Sequence, residues 1–267
     1  MRALPLRPRV ASPRFAVISS PRSANTWLRR LLGQLFDLEE IPVHAPAEVP
    51  WGELPERCIV QLHWPRDPAL VARLRRERFQ ICVLVRHPLD MLVSILHFCA
   101  HEPLTARWLD GAHGDEREIV GAEPCSAEFV RYAASPRARA LVGVSPQWWN
   151  RHAVARLRFE DFVTDPADGL AKIVTDSRIA PVMAISETLR DLPFGRLQIE
   201  TDNAHFWQGR VGLWRELLPA ALAHQIAAPY VSHAQRFRYE LAPDRSLDLE
   251  AARAHWRELA RVPGRVS

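Results

Sequence analysis

FAVISSPRSANTWLRRLL, residues 15–32, reads as a buried β-strand that passes through a short polar turn into an amphipathic helix. The apolar run Phe15 to Ile18 suits a strand, and Ser19 to Ser23 with Pro21 makes the turn. Trp27, Leu28, Leu31, Leu32 and Leu35 then recur at helical spacing. The first backbone N–H groups of such a helix have no partner within it and point into the turn, where Arg22 adds a permanent positive charge. This arrangement suits an anion. An ordinary strand–turn–helix connection fits the same pattern, so the rest of the chain has to decide.

Two more junctions of the same kind follow. Cys58 to Leu62 is a short apolar run that ends in His63, Trp64 and Pro65, and a charged helical stretch, Asp67 to Arg78, comes after it. Ile81 to Val85 is the clearest buried strand; it ends at Arg86 and leads through His87 and Pro88 into a helix from Leu89 to about Phe98. Val154 to Phe159 is a further strand, and Asp165-Pro166 starts the next helix. Strands that alternate with helices predict an α/β fold with a central parallel sheet flanked by helices, a three-layer sandwich of the P-loop NTPase type. Ligands of such sheets bind beyond the carboxyl ends of the strands, where Arg22, His63 and Arg86 all fall.

Between these units the pattern is weaker. Ile41 to Pro55 reads as a Pro-rich connection, and residues 101–149 as an insertion of short helices. Residues 1–13 form a basic, Pro-rich tail, leaving 14–267 as one domain. No apolar run approaches the about 20 residues of a membrane span, and the N-terminus is too rich in Arg and Pro for a signal-peptide core, so stable membrane insertion is not expected and a cytoplasmic location is. Cys58, Cys82, Cys99 and Cys125 form no Cys-x-x-Cys pair and are expected to be reduced core thiols.

The net charge is +4, and Lys172 is the single lysine among 35 basic residues. Arginine does not release a proton near neutral pH but makes bidentate contacts to phosphate or sulfate, so a cationic catalytic group here acts electrostatically. A GC-rich coding sequence accounts equally well for the arginine bias. Nothing in the charge pattern points to nucleic acid as partner. The Walker sequence G-x-x-x-x-G-K-[ST] is absent, which removes the main support for a kinase or ATPase.

Present instead are P-R-S-A-N-T-W at 21–27, H-W-P at 63–65, R-H-P-L-D-M-L-V-S at 86–94, R-F-E-D-F-V-T-D-P at 158–166 and Q-G-R-V-G-L-W-R at 208–215. In that order they resemble the signature blocks of the sulfotransferases that use 3′-phosphoadenosine 5′-phosphosulfate (PAPS), of the cytosolic and bacterial-like kind. The resemblance implies a transferase that moves a sulfuryl group from PAPS to a hydroxyl or amine, leaves 3′-phosphoadenosine 5′-phosphate (PAP), and needs no metal. A PAP- or PAPS-binding protein without catalysis is the alternative.

Residue by residue, the first block implies that Arg22, Ser23, Ala24, Asn25 and Thr26 wrap the 5′-phosphosulfate and that Trp27 stacks on adenine; core packing of Trp27 is the rival reading. Ala24 stands where the family has glycine and Asn25 where threonine is common. Arg86 and Ser94 match the 3′-phosphate site, the rival being an Arg86–Asp90 pair with a buried Ser94. His63 matches the general base, although Gln61 stands where many members have lysine. Arg22 would stabilise the departing phosphate. Phe159 takes the place of an adenine-holding tyrosine, and Ser186 that of a donor-contacting serine. The last block of the family reads R-K-G-x-x-G-D-W; Gln208 and Gly209 keep only its glycine, and Arg210 is the candidate replacement for the missing basic pair. His97 and His101, four apart, lack the third ligand that a metal site needs. The acceptor, a small molecule or a glycan, would meet loops that hold Trp51, Trp108, Phe129, Tyr132, Trp148 and Trp149, each of which can also simply pack. A homodimer is compatible with all of this.

Overall fold

The structure is a computed structural model that describes residues 13–150, 153–195, 197 and 207–260. Apart from Pro13, the basic tail read at 1–13 lies outside the described residues. Five strands, β1 (Arg14–Ile18), β2 (Glu39–Pro42), β3 (Cys58–Leu62), β4 (Gln80–Val85) and β5 (Ala153–Arg158), form one sheet in the order β2-β3-β1-β4-β5. Every pairing is parallel. The helices are α1 (Asn25–Phe36), α2 (Pro68–Arg76), α3 (Pro88–Cys99), α4 (Ala127–Ala133), α5 (Pro136–Trp149), α6 (Phe159–Thr164), α7 (Pro166–Ser177), α8 (Ile185–Asp191), α9 (Ala220–Ala227), α10 (Val231–Arg236) and α11 (Leu249–Leu259).

Alternation along the strands divides the core into two layers. Ala16, Ile18, Val60, Leu62, Ile81 and Val83 pack on one face with residues of α2, α3 and α5. Phe15, Val17, Ile59, Cys82, Leu84 and Leu157 pack on the other with residues of α1 and α7. A sheet covered on both faces needs strands that are apolar throughout, which is why β1, β3 and β4 stand out in the sequence. The α/β three-layer architecture expected from that pattern is the one observed.

Local sequence fixes the helix starts. Asp67 caps α2 by accepting from Leu70 N at 2.9 Å, with Pro68 in the first turn. Asp165 does the same for α7, accepting from Asp168 N at 3.0 Å. Cys58, Cys82 and Cys99 are buried and Cys125 half-buried, and all four are free thiols.

One strand differs from the sequence expectation. β2 runs through the start of the Pro-rich connection; its Glu39, Glu40 and Pro42 are exposed at the sheet edge, so it lacks the apolar run of a buried strand. Residues 101–149 hold two short 3₁₀ segments and α4, and end in the 14-residue α5, which lies against β1, β4 and β5 and so completes one layer of the sandwich.

Candidate active site

A cavity of about 320 Å³ opens at the carboxyl ends of β1, β3 and β4. The turn after β1 forms its floor, and that turn is anchored from beneath. Ser20 Oγ donates to Val142 O at 2.9 Å, Ser20 N donates to Ser145 Oγ at 2.7 Å, and Leu84 N donates to Ser19 Oγ at 2.7 Å. Ser145 thus ties α5 to the turn, a role that no motif around it in the sequence marks. The buried hydroxyls of Ser19, Ser20 and Ser145 are thereby satisfied. Asn25 Nδ2 donates to Ser20 O at 2.8 Å, which closes the loop on itself.

Arg22 (φ 61°) and Ala24 (φ 66°) both lie in the left-handed region. For a residue with a Cβ this costs roughly 1–2 kcal/mol, and it is the physical reason glycine suits position 24. Asn25 Oδ1 and Ser23 Oγ are buried without a hydrogen-bond partner among the described residues.

The two expected cations meet here. Arg22 Nε donates to Ser94 Oγ at 3.1 Å, and its guanidinium lies over Phe98, 4.2 Å from the ring centroid. Arg86 Nη1 donates to Arg22 O at 2.6 Å, and its guanidinium lies over Phe159 at 4.0 Å. Burial, with the charge of Arg86, pulls the Arg22 pKa down to about 9. Burial also lowers that of Arg86, whose Nε has no hydrogen-bond partner among the described residues. In both, desolvation by burial is the main cause, and a bound anion would oppose it.

Asp90 and Glu160 favour the charged form of Arg86, but their hydrogen bonds go to other groups. Asp90, instead of pairing with Arg86, accepts from Gly212 N at 2.7 Å and from Trp214 N at 3.0 Å, and so pins the last sequence block to α3. Glu160 accepts from His87 N at 2.8 Å and from the Tyr239 hydroxyl at 2.9 Å.

His63 faces the same cavity from the end of β3. Its Nδ1 lies 2.9 Å from Ser19 O; a carbonyl only accepts, so Nδ1 carries the proton and Nε2 keeps the lone pair. Burial is the main cause that lowers its pKa to about 4; Arg22, Arg29 and His44 act in the same direction, against the bond to Ser19 O. The ring is therefore neutral at pH 7 and able to take a proton through Nε2.

On the other side of the turn, Trp27 is wedged between Phe162 at 5.1 Å and Phe194 at 5.3 Å, with Nε1 donating to Leu192 O at 3.0 Å. It packs in the core and still lines the cavity. Gly209 (φ 63°) also lines it; a Cβ there would stand 2.6 Å from the Phe194 ring, so the position needs glycine for both conformation and space.

Of the site residues read from sequence, Arg22, Ala24, Asn25, Thr26, Trp27, His63, Arg86, Ser94, Phe159, Gln208 and Gly209 all line this one cavity. Ser23 is buried behind it. Ser186 is exposed at the start of α8 and Arg210 is exposed and ion-paired with Glu216; neither is among the lining residues. Among the aromatic residues considered for the acceptor, only Trp108 lines the cavity, whereas Phe129, Tyr132 and Trp148 are core residues. Arg29, His44, Glu102 and Phe194 line it without belonging to any recognised block.

No protein-family model matches the chain, and no curated protein matches it. Solved structures do. Mouse sulfotransferase SULT7A1 complexed with PAP is similar at 16% identity over 85% of this chain and 89% of that chain, with a TM-score of 0.58. Retinol dehydratase in a complex with retinol and PAP is similar at 16% identity over 91% of this chain and 84% of that chain, with a TM-score of 0.54. Its complex with androsterone and inactive cofactor PAP gives 14% identity, 91% and 83% coverage and a TM-score of 0.52. The chain shares the sulfotransferase fold with them.

Proposed function

We propose that this chain is a PAPS-dependent sulfotransferase that moves a sulfuryl group to a hydroxyl or amine in one in-line step. The observation that carries the reading is the convergence, at one cavity, of the Arg22–Arg86 cation pair and a neutral His63 with Nε2 available. Three PAP-bound structures of the same fold support the choice of nucleotide.

In this reading Arg22 and the turn from Ser23 to Thr26 hold the 5′-phosphosulfate, Arg86 and Ser94 hold the 3′-phosphate, and Trp27 with Phe159 borders the adenine. The acceptor gives its proton to His63 Nε2 as its oxygen or nitrogen bonds to sulfur. The bond from sulfur to the 5′-phosphate oxygen breaks, and its electron pair stays on PAP. Arg22 stabilises that developing charge but donates no proton at neutral pH. The enzyme works in the cytoplasm on a small molecule or glycan.

The reading is tested by incubating the protein with ³⁵S-labelled PAPS and a panel of phenols, alcohols, amines and saccharides. Labelled product should form and should fall about 10²–10⁴-fold in His63→Ala. Tight PAP binding with no transfer to any acceptor would instead identify a binding protein, and stronger stabilisation by ATP than by PAP a kinase-like activity.

A further inference from the structure

Gln61 and His63 are two positions apart at the end of β3, so their side chains leave the strand on the same side, and both line the cavity. Gln61 has no charge, yet it holds one. Its Oε1 accepts from Arg29 Nη1 at 2.8 Å. Arg29 stands in the second turn of α1 and lines the same cavity as Arg22. Its Nε donates to Glu40 Oε2 on β2 at 2.7 Å, and its side chain is only 12% exposed.

Two of the three guanidinium nitrogens, Nε and Nη1, are therefore fixed by oxygens from two strands. Nη2 makes no hydrogen bond among the described residues. A planar group held at Nε and Nη1 presents its Nη2 in a set direction, which suits an oxygen on a central sulfur or phosphorus. Glu40 lies on the outer side of the pair, 34% exposed, where water weakens its cancellation of the charge.

We infer, resting on the sulfotransferase reading, that Arg29 is a second catalytic cation, whose Nη2 group binds the sulfuryl oxygens on the acceptor side of the sulfur, with Gln61 and Glu40 as its positioning residues. Arg22 takes the charge that collects on the departing phosphate oxygen, and Arg29 Nη2 donates to sulfuryl oxygens as sulfur passes from that oxygen to the acceptor. No co-reactant is added: one S–O bond breaks, one bond to sulfur forms, and the acceptor proton goes to His63.

The groups that face His63 fit this division. Arg22 approaches from the turn, Arg29 from α1 and His44 from beyond β2, and each disfavours the imidazolium; Ser19 O holds Nδ1–H, Trp108 covers the ring edge at 6.0 Å, and Glu102 lines the same cavity.

The test compares Arg29→Gln, Arg29→Lys and the parent by calorimetric titration with PAP and with PAPS, and by turnover of labelled PAPS on the acceptor panel. PAP affinity in Arg29→Gln should stay within about twofold of the parent, because PAP lacks the sulfuryl group. Its preference for PAPS over PAP should shrink, and kcat should fall about 10²-fold. Arg29→Lys, which keeps the charge and the fold, should recover part of kcat. The acid limb of the kcat–pH profile in Arg29→Gln should move to higher pH, since a cation facing His63 is gone. Equal loss of PAP and PAPS binding in a folded Arg29→Gln, or transfer at the parental rate, overturns the inference. A parent that binds no PAP removes the sulfotransferase reading itself, and the inference with it.

Discussion

Arg86 Nη1 donates to the backbone carbonyl of Arg22 at 2.6 Å, so the cation of one strand–helix junction holds the loop that carries the cation of another. The bond sets two like charges on one cavity wall. In the proposed reading that wall is preorganised for a polyanion.

Replacement of Arg22 by Met should therefore separate binding from stability. The melting temperature without ligand should stay within about 3 °C of the parent, a change of no more than roughly 1 kcal/mol at this chain length. The rise produced by PAP should be lost, where the parent at 100 times Kd gains about 2.7 kcal/mol. Thermal scans with and without PAP check both. A large loss of stability in the unliganded variant would mean that Arg22 serves the fold more than the ligand.

Acid should destabilise the protein early. Burial lowers the pKa of His63 to about 4, of His97 to about 3 and of His233 to about 4, from an ordinary 6.5. Below pH 6.5 the unfolded chain binds protons on these rings that the folded chain refuses. Stability is then full above about pH 6.5 and is lost as the pH falls toward 4, by up to about 1.4 kcal/mol per pH unit for each histidine. Urea unfolding at pH 7, 6 and 5 should show a steadily falling midpoint; a flat midpoint contradicts the burial of neutral rings.

PAP should act on His63 in the opposite sense. Its phosphates bring negative charge toward a ring whose proton affinity is depressed by neighbouring cations, so the His63 pKa should rise from about 4 on binding. Proton and ¹⁵N NMR of the imidazole, with and without PAP, measures this directly. An unchanged value would place the bound phosphates away from His63.

The cavity wall of Arg22 and Arg86 is legible in the sequence because buried strands announce themselves by continuous apolar runs and their polar ends then stand out. Arg22, His63 and Arg86 stand at such ends. Polar residues at an edge give no such contrast, so β2 was hidden in a Pro-rich connection, and with it Glu40. Arg29 is one arginine among many on an amphipathic helix; its place at the cavity depends on Glu40 and Gln61, which come from two other strands. Asp90 follows Arg86 closely enough to be taken for its partner, whereas its carboxylate serves backbone N–H groups more than 120 positions later. Side chains that act through distant partners leave no periodic or local signal.

Ala24 makes a strained turn testable. With φ at 66° and no side-chain cap, it holds a left-handed N-terminal position for α1. Ala24→Gly should relieve that strain, partly offset by the greater freedom of glycine in the unfolded chain, for a net gain of roughly 0.5–1 kcal/mol. Chemical denaturation reads the difference; a loss of stability would show that the alanine methyl contributes packing worth more than the strain.

Asp90→Asn should weaken donor binding without touching the cavity. The amide turns an NH₂ group toward one of the two N–H donors of Gly212 and Trp214, which frees the segment that presents Gln208 and Gly209. Disruption of this buried pair of charge-assisted hydrogen bonds should cost about 2–4 kcal/mol of stability, with a raised Kd for PAP. Unchanged PAP affinity in the folded variant would show that this segment is not part of the nucleotide site.

The most direct measurement is a calorimetric titration of the protein with PAP and, separately, with ADP, which keeps a 5′-phosphate chain but has no 3′-phosphate. PAP should bind in the micromolar range or tighter and ADP at least about tenfold more weakly, a difference of about 1.4 kcal/mol that Arg86→Ala should abolish. No binding of PAP, or equal binding of ADP and PAP by the parent protein, would contradict the assignment of the Arg22–Arg86 wall to a 3′-phosphoadenosine nucleotide.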